Sequence, residues 1–179
     1  MQHKAADAII ASVFKETLAE LKAGKEVNMN FYLFFEDSYW RFPDDGLSKE
    51  EMIGAVNLMI NVAKPQAYAL VSDTFVRSPE TNEIMYEQLL ASIVEQGQDT
   101  RMIAQRYDRL PSGKISLSRP RQNMDGMTFG GRMTELFKPV PKEILDSAPI
   151  RHLLQPYIDR LKKERVMIGS MHMHTPGNC

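Results

Sequence analysis

The chain has 179 residues, of which 43% are hydrophobic and 25% are charged, and its formal net charge is −1. This balance is typical of one globular domain and excludes a disordered chain, and no apolar run reaches the roughly 18 residues that a membrane-spanning helix needs. The N-terminal sequence fits an amphipathic helix rather than a signal peptide, while the single cysteine excludes an internal disulfide and favours a reducing, cytoplasmic location.

The charge is distributed unevenly along the chain. Residues 1–98 carry a net charge of −7, and residues 99–179 carry a net charge of +6. One interpretation is that the two halves fold against each other and neutralise their charges. The other is that the second half presents an anion-binding face. A single domain favours the first interpretation and leaves the second open.

The first predicted elements are a helix and a strand. Apolar residues at three- and four-residue steps predict a helix over residues 5–23, and Gly24 is a natural C-cap. A strand is predicted over residues 27–35, VNMNFYLFF, from its alternating side chains. Because the end of this strand is apolar on both faces, we expect it to be central in a sheet and covered on both sides.

The second helix has the clearest start signal in the chain. It follows the loop-like segment EDSYWRFPDDG. Ser48 can accept the backbone N–H of Glu51, and the Glu51 side chain can reach back to Ser48, which predicts a capping box. Pro65 ends the helix near Lys64, because the residue before a proline avoids the α region.

The middle of the chain is predicted to form a strand, a helix and a hairpin. The strand is QAYALVSDTFV, at about residues 67–76. For residues 78–97, Ser78 as N-cap, Pro79 at the first helical position and Gly97 as a stop signal predict a helix. The hairpin is predicted where the turn-like DRLPSG joins TRMIAQRY to KISLS.

The remaining segments complete the predicted fold. A further strand is predicted at residues 127–137, where two glycines indicate a bulge, and a final helix at APIRHLLQPYIDRLKKE, which Pro156 should kink or restart. This order predicts a single α+β domain at residues 1–168, with a mixed or mainly antiparallel sheet of about four to five strands and helices packed on it. We expect residues 169–179 to be a flexible C-terminal tail.

One stretch of the chain resembles known proteins. In about residues 66–120, the strand AYALVSDTFV is followed by a polar stretch, by DTRMIAQRYDR and by a hairpin. This arrangement resembles small uncharacterised α+β proteins of bacteria, phages and mobile elements. In those proteins a strand that ends in an acidic residue and an aromatic precedes an arginine-bearing strand. The resemblance is consistent with an accessory protein and carries no activity that can be transferred.

The C-terminal sequence GSMHMHTPGNC contains three residues of metal-ligand type, His172, His174 and Cys179. Histidines two positions apart point to the same side of an extended segment, and a zinc site needs three or four ligands. The pair resembles the H-x-H of JAB-type metal-dependent isopeptidases, but the serine and aspartate that follow the pair in that family are absent from TPGNC. We therefore expect no cofactor, with zinc at this tail and a metal-dependent hydrolase as the minor alternative.

A basic segment suggests contact with nucleic acid. Six basic residues fall within residues 101–121, and they are Arg101, Arg106, Arg109, Lys114, Arg119 and Arg121. Arginines on a two-stranded ribbon can follow phosphates, and an aromatic side chain such as Tyr107 can stack on a base. The alternative is a solvated face whose charges pair with acids of the N-terminal half. No zinc-finger or RNP motif accompanies the segment.

An acidic loop rich in aromatic residues follows the first strand. Its candidate partner-binding residues are Tyr39, Trp40, Asp44 and Asp45, because exposed tryptophan and tyrosine side chains are typical interface anchors. The alternative is a turn whose aromatic rings cover the edge of the core. Asp73 lies in an apolar strand, so it is a candidate acid if it points inward and a hydrogen-bonded strand-end residue otherwise.

The sequence contains no complete set of catalytic residues. The motifs of nucleophile elbows, phosphate-binding loops and dinucleotide-binding folds are absent. We therefore expect a non-catalytic accessory or regulatory protein that acts through contacts with a protein partner or with itself. Binding of nucleic acid through residues 101–121 is the alternative function, and we expect no membrane partner.

Overall fold

The structure, a computed structural model, describes residues 2–78, 80–122 and 135–168. These residues form four helices and eight strands. In chain order the elements are α1 (Gln2–Lys22), β1 (Asn30–Phe34), β2 (Ser38–Arg41), α2 (Lys49–Ala63), β3 (Ala67–Arg77), β4 (Ile84–Glu95), β5 (Arg101–Arg109), β6 (Ile115–Leu117), β7 (Arg121–Gln122), α3 (Lys142–Leu145), α4 (Ala148–Glu164) and β8 (Val166–Met167).

The eight strands belong to one sheet in which each pair of neighbours is antiparallel. The order across the sheet is β6-β5-β4-β3-β1-β2-β8, and β7 also pairs with β5. Because β1 lies between β2 and β3, those two strands run parallel to each other. The helix α2 makes the crossover that joins them, as a parallel arrangement requires.

The helices cover the sheet on both sides. α1 packs on one face, here called the α1 face, against a cluster that includes Tyr32 and Phe34 of β1. α2 and α4 pack on the other, here called the α2/α4 face, against a cluster that includes Phe31 and Leu33. Successive side chains of a strand point to opposite faces, so β1 contributes to both cores. The expectation that β1 is central and covered on both sides is confirmed.

The predicted α+β class, with helices packed on one antiparallel sheet, is confirmed. The predicted number of four to five strands is wrong, since seven strands follow one another across the sheet and β7 is an eighth. One of the missed strands is β2, which lies inside the segment that looks like a loop in the sequence. Its four residues are too few to show a period of two before the pairing with β1 is known.

The predicted helix at residues 78–97 is also wrong, because this segment forms β4. Its run LLASIV is apolar without a clear period, and such a run fits a buried strand as well as a helix. Pairing with β3 on one side and with β5 on the other decides in favour of the strand. Ser78 accepts the backbone N–H groups of Glu80 and Thr81 within the turn, instead of capping a helix.

Other predicted elements are confirmed. The capping box at the start of α2 is complete: the Ser48 hydroxyl accepts the backbone N–H of Glu51, and the Glu51 carboxylate accepts that of Ser48. At the end of α2, Lys64 adopts a left-handed φ of 53° before Pro65. The hairpin around DRLPSG is formed by β5 and β6, and α4 continues through Pro156 without a restart.

Two predictions lie mainly outside the described residues. For the strand expected at residues 127–137, only residues 135–137 are described, and these form a turn. The tail expected at residues 169–179 lies wholly outside, so the predicted domain boundary stays a prediction. In the described part of the chain, no helix is long and apolar enough to cross a membrane.

The buried side-chain amide of Asn61 in α2 binds the backbone of residues 138–140. Asn61 Nδ2 donates to the carbonyl of Lys138 at 3.2 Å, and Asn61 Oδ1 accepts the backbone N–H of Val140 at 2.9 Å. Asn57 Nδ2 donates to the carbonyl of Leu136 at 2.8 Å, and the Leu136 side chain is buried in the α2/α4 core. These bonds satisfy the backbone of a segment without regular structure and hold it against the helix.

We expect Asn61→Ala to lower the free energy of unfolding by about 1–2 kcal/mol, because it leaves partly buried backbone groups without their side-chain partner. The measurement is urea denaturation of the variant beside the wild type. Gln155→Ala, on the exposed side of α4, is the control and should change stability little. Equal stability of Asn61→Ala and the wild type would contradict this role of the amide.

Candidate binding surfaces on the distal ribbon

The central strands extend beyond their neighbour β1. β1 pairs with β3 only from Ala67 to Val71, whereas β3 continues to Arg77 in its pairing with β4. The three strands β3, β4 and β5 therefore project as a ribbon, formed by residues 72–77, 84–90 and 104–109 and here called the distal ribbon. Side chains alternate between its faces, so it can carry two different surfaces.

On the α1 face, the distal ribbon carries a network of charged and polar side chains. The Tyr107 hydroxyl donates to Asp73 Oδ1 at 2.6 Å. Arg109 Nε donates to Glu87 Oε2 at 2.8 Å, and Arg109 Nη2 lies 3.8 Å from Asp73 Oδ2. The Arg109 guanidinium also lies 5.4 Å from the centre of the Tyr107 ring. We call these four residues the Asp73 network; it links all three strands of the ribbon.

Burial controls the electrostatics of the Asp73 network. Partial burial raises the pKa of Asp73 above its usual range, and the nearby Glu87 carboxylate raises it further, while the bond from Tyr107 and the charge of Arg109 oppose the shift. Burial also raises the pKa of Tyr107, and the bond to Asp73 adds to this effect. The Tyr107 hydroxyl therefore keeps its proton and donates it in the hydrogen bond that positions the Asp73 carboxylate.

The end of the distal ribbon exposes large apolar side chains. Phe75 is 54% exposed, Ile84 50%, Met85 59% and Leu110 44%. We call these four residues the apolar tip. The β3–β4 register shifts between Val76 and Arg77, so that Met85 has no partner in β3, and such a bulge turns a side chain away from the regular pattern. The exposure of Met85 therefore has a local structural cause.

The opposite face of the distal ribbon carries a groove of about 560 Å³. Its floor includes Gln88 and Ala104, which are buried, and its rim includes Tyr86, Arg106 and Arg119. We call it the β4–β6 groove. A volume of this size lies within the range of about 300–1,000 Å³ that is usual for ligand pockets.

The structure separates the six basic residues that were considered together as a nucleic-acid surface. Arg101 lies on the α1 face and bonds to Asp7 at 3.0 Å and to Glu95 at 2.7 Å, and Arg109 belongs to the Asp73 network. Arg106 and Arg119 line the β4–β6 groove. Lys114 is exposed in the turn before β6, and the side chain of Arg121 lies outside the described part of the chain.

These pairings support the interpretation that the two halves of the chain neutralise each other in part. The acids that bond to Arg101 and Arg109 belong to the N-terminal half of the chain, and Asp45 forms two bonds to Arg160 of α4, at 2.8 and 3.1 Å. Asp73 accepts a hydrogen bond from Tyr107, which belongs to the C-terminal half.

The aromatic loop does not present the expected anchor. Trp40 is 1% exposed and its Nε1 donates to Glu164 of α4 at 3.4 Å, which corrects its assignment as an exposed partner-binding residue. Tyr39 is half-buried beside Tyr32 and Phe34. The alternative interpretation, that these rings cover the edge of the core, describes their positions better.

The acids of the same loop are engaged within the chain. Asp44 accepts a bond from Asn28 at 3.0 Å, and Asp45 pairs with Arg160. Both acids remain exposed to solvent. They connect the loop to the segment before β1 and to α4. Their role in partner binding stays a prediction, because a partner would have to replace these bonds.

The candidate metal ligands His172, His174 and Cys179 lie outside the described residues. Within residues 2–78, 80–122 and 135–168, no group of three histidine, cysteine, aspartate or glutamate side chains is arranged to hold a metal ion. The expectations for this tail, including zinc as the minor alternative, therefore stay predictions.

We expect Asp73→Asn to raise the free energy of unfolding at neutral pH. Folding raises the pKa of Asp73. The protonated carboxyl therefore contributes fully to stability below its unfolded pKa of about 3.9, and this contribution is lost as the pH rises through the folded pKa. Asparagine carries no charge and can still accept the bond from Tyr107. The gain should therefore vanish in acid, where the aspartate is protonated. Denaturation of both proteins from acidic to neutral pH measures the difference in their free energies of unfolding. A variant that is less stable than the wild type at neutral pH would contradict the prediction, because the attraction of Arg109 for the carboxylate would then outweigh the cost of burying its charge.

Comparison of the chain with protein-family models, with curated protein sequences and with solved structures gives no match, so the resemblance of residues 66–120 to small phage and bacterial proteins stays a prediction.

Proposed function

We propose that this protein is a non-catalytic accessory or regulatory module that binds a protein partner through its apolar tip. The observation that carries the proposal is the exposure of four large apolar side chains at the end of one projecting ribbon. Scattered apolar residues are normal on a protein surface, but a cluster of them marks a contact site. The proposal keeps the expected class of function and moves the contact surface away from Trp40.

Burial of the apolar tip against a partner would contribute favourable free energy to binding. Complete burial of one large apolar side chain contributes about 1.5–3 kcal/mol, and a few such anchors dominate most interfaces. Phe75 supplies an aromatic anchor, and Met85 supplies a side chain that adapts to irregular pockets. A partner would need an apolar pocket or groove for these side chains.

The distal ribbon is held in a fixed shape before binding. Asp73, Tyr107 and Arg109 connect its outer strands on the α1 face, and β4 pairs with both β3 and β5. Ordering a flexible loop reduces affinity, so a rigid ribbon retains more of the contact energy. The rim of the tip carries exposed charges of both signs, including Arg77 and Glu83, which suits a partner with a mixed polar rim.

The test is quantitative capture of partners from the native cell with wild-type protein, Phe75→Glu and Met85→Glu. We expect at least one protein to be retained by the wild type and lost from both variants, with affinity reduced about 30-fold or more for a dominant anchor. Direct binding of that purified protein then gives the affinities. Leu153→Glu, at an exposed apolar position on α4, is the matched control and should retain the partner.

Sedimentation of the wild type tests the related outcome in which the partner is a second copy. Self-association that both tip variants abolish would support the apolar tip as a protein contact. The proposal fails if every captured protein is held equally by the wild type and both folded tip variants, and the protein is a monomer at all concentrations.

A further inference from the structure

We propose that the β4–β6 groove binds a short single-stranded nucleic acid, with Arg106 and Arg119 on its phosphates and Tyr86 against a base. The groove lies on the face of the distal ribbon opposite to the Asp73 network. This inference does not depend on the apolar tip, since the two surfaces use different side chains. Of the six basic residues at positions 101–121, the inference uses only Arg106 and Arg119, which line the same concave surface.

Among the described residues, α2 and α4 pack on a different part of this face of the sheet. The core formed by α2 and α4 includes Tyr68, Leu70 and Val94, which lie near the β1 end of β3 and β4. Leu90 and Ala104 belong to a separate small cluster. The groove begins beyond the helices, where the strands offer polar and charged side chains in place of a core.

The charge of the groove favours an anion. Arg106 pairs with Asp108 at 3.0 Å, but the two side chains are 49% and 58% exposed, and such a surface pair contributes little. A phosphate can therefore replace Asp108 at small cost. For Arg119, no carboxylate partner occurs among the described residues. Two guanidinium groups against one carboxylate leave the groove net positive, and guanidinium groups bind phosphate through two parallel bonds.

The wall that carries Arg119 is fixed to β5. Ser118 donates from both its backbone N–H and its hydroxyl to the carbonyl of Arg106, each at 3.0 Å. Gln105 Nε2 donates to the carbonyl of Ser118 at 2.7 Å. These bonds hold the residue before Arg119 in place, so the two arginines have a defined separation along the groove.

The groove also offers a surface for bases. The Arg106 guanidinium lies over the Tyr86 ring, 5.1 Å from its centre, and forms a cation–aromatic pair. Bases stack on such rings and guanidinium planes in complexes with single strands. Gln88 on the floor has an amide that can bond to the edge of a base. An acidic peptide would use the arginines but not this aromatic surface.

The positions of the arginines exclude one continuous basic surface for a nucleic-acid duplex. Arg101 and Arg109 lie on the α1 face and are bonded to carboxylates. A duplex needs a broad surface of cations along its two backbones, whereas this groove is confined to three neighbouring strands. The ligand class is therefore a strand of a few nucleotides.

The experiment is fluorescence anisotropy of labelled oligothymidylate and oligouridylate with the full chain, over a series of salt concentrations. We expect binding that weakens with salt, and a salt slope that falls by about 0.7 for each of Arg106→Ala and Arg119→Ala. Tyr86→Ala should weaken binding by about 5- to 150-fold, the range expected for loss of one stacked base. A preference for one of the two oligomers would identify RNA or DNA as the ligand.

Two variants control for the loss of a positive charge elsewhere. Lys114→Ala removes an exposed charge from the turn of the same hairpin, outside the groove lining, and Arg151→Ala removes one from α4, where the side chain is exposed. Both should bind as the wild type does, after circular dichroism has shown that each variant is folded. The inference is overturned if neither oligomer binds at low salt, if the controls weaken binding as much as Arg119→Ala, or if polyglutamate competes as well as the oligomers.

Discussion

The strands β3 and β4 pair along eleven positions, from Ala67↔Glu95 to Arg77↔Ile84, and both cores are built on this hairpin. Its inner half supplies Tyr68 and Leu70 to the α2/α4 core, and Ala69 and Val71 to the α1 core. Its outer half extends past the end of β1 and forms the distal ribbon. The hairpin is thus longer than its neighbour β1, and the part beyond β1 carries the two candidate surfaces.

The features predicted correctly from the sequence are those fixed by neighbouring residues. The capping box of Ser48 and Glu51 involves a single turn of chain, and its bonds are present as expected. β4 is different, because LLASIV has no local preference that separates a strand from a helix, and its state is decided by the strands on both sides. The same reason explains Trp40, whose burial depends on α4, more than a hundred residues further along the chain.

The candidate sites could be predicted only as groups of residue types. The sequence brings Arg101, Arg106 and Arg109 together, but the alternation of β5 sends Arg106 to the face opposite the other two. The partner of Asp73 is Tyr107, 34 positions away, and no local signal connects them. The apolar tip was missed because Met85 was placed in a predicted helix, where its exposure at a β-bulge could not be foreseen.

The apolar tip and the β4–β6 groove lie on the same strands of the distal ribbon. Phe75 shares the α1 face with Glu87, its partner in the register, whereas Tyr86 and Gln88 point to the groove on the opposite face. A protein in contact with Phe75 and a strand of nucleic acid in the groove would therefore lie on opposite faces of the same strands. The two surfaces share backbone but no side chain. Because Met85 of the tip adjoins Tyr86 of the groove in the chain, Phe75 is the tip position whose substitution should leave binding in the groove unchanged.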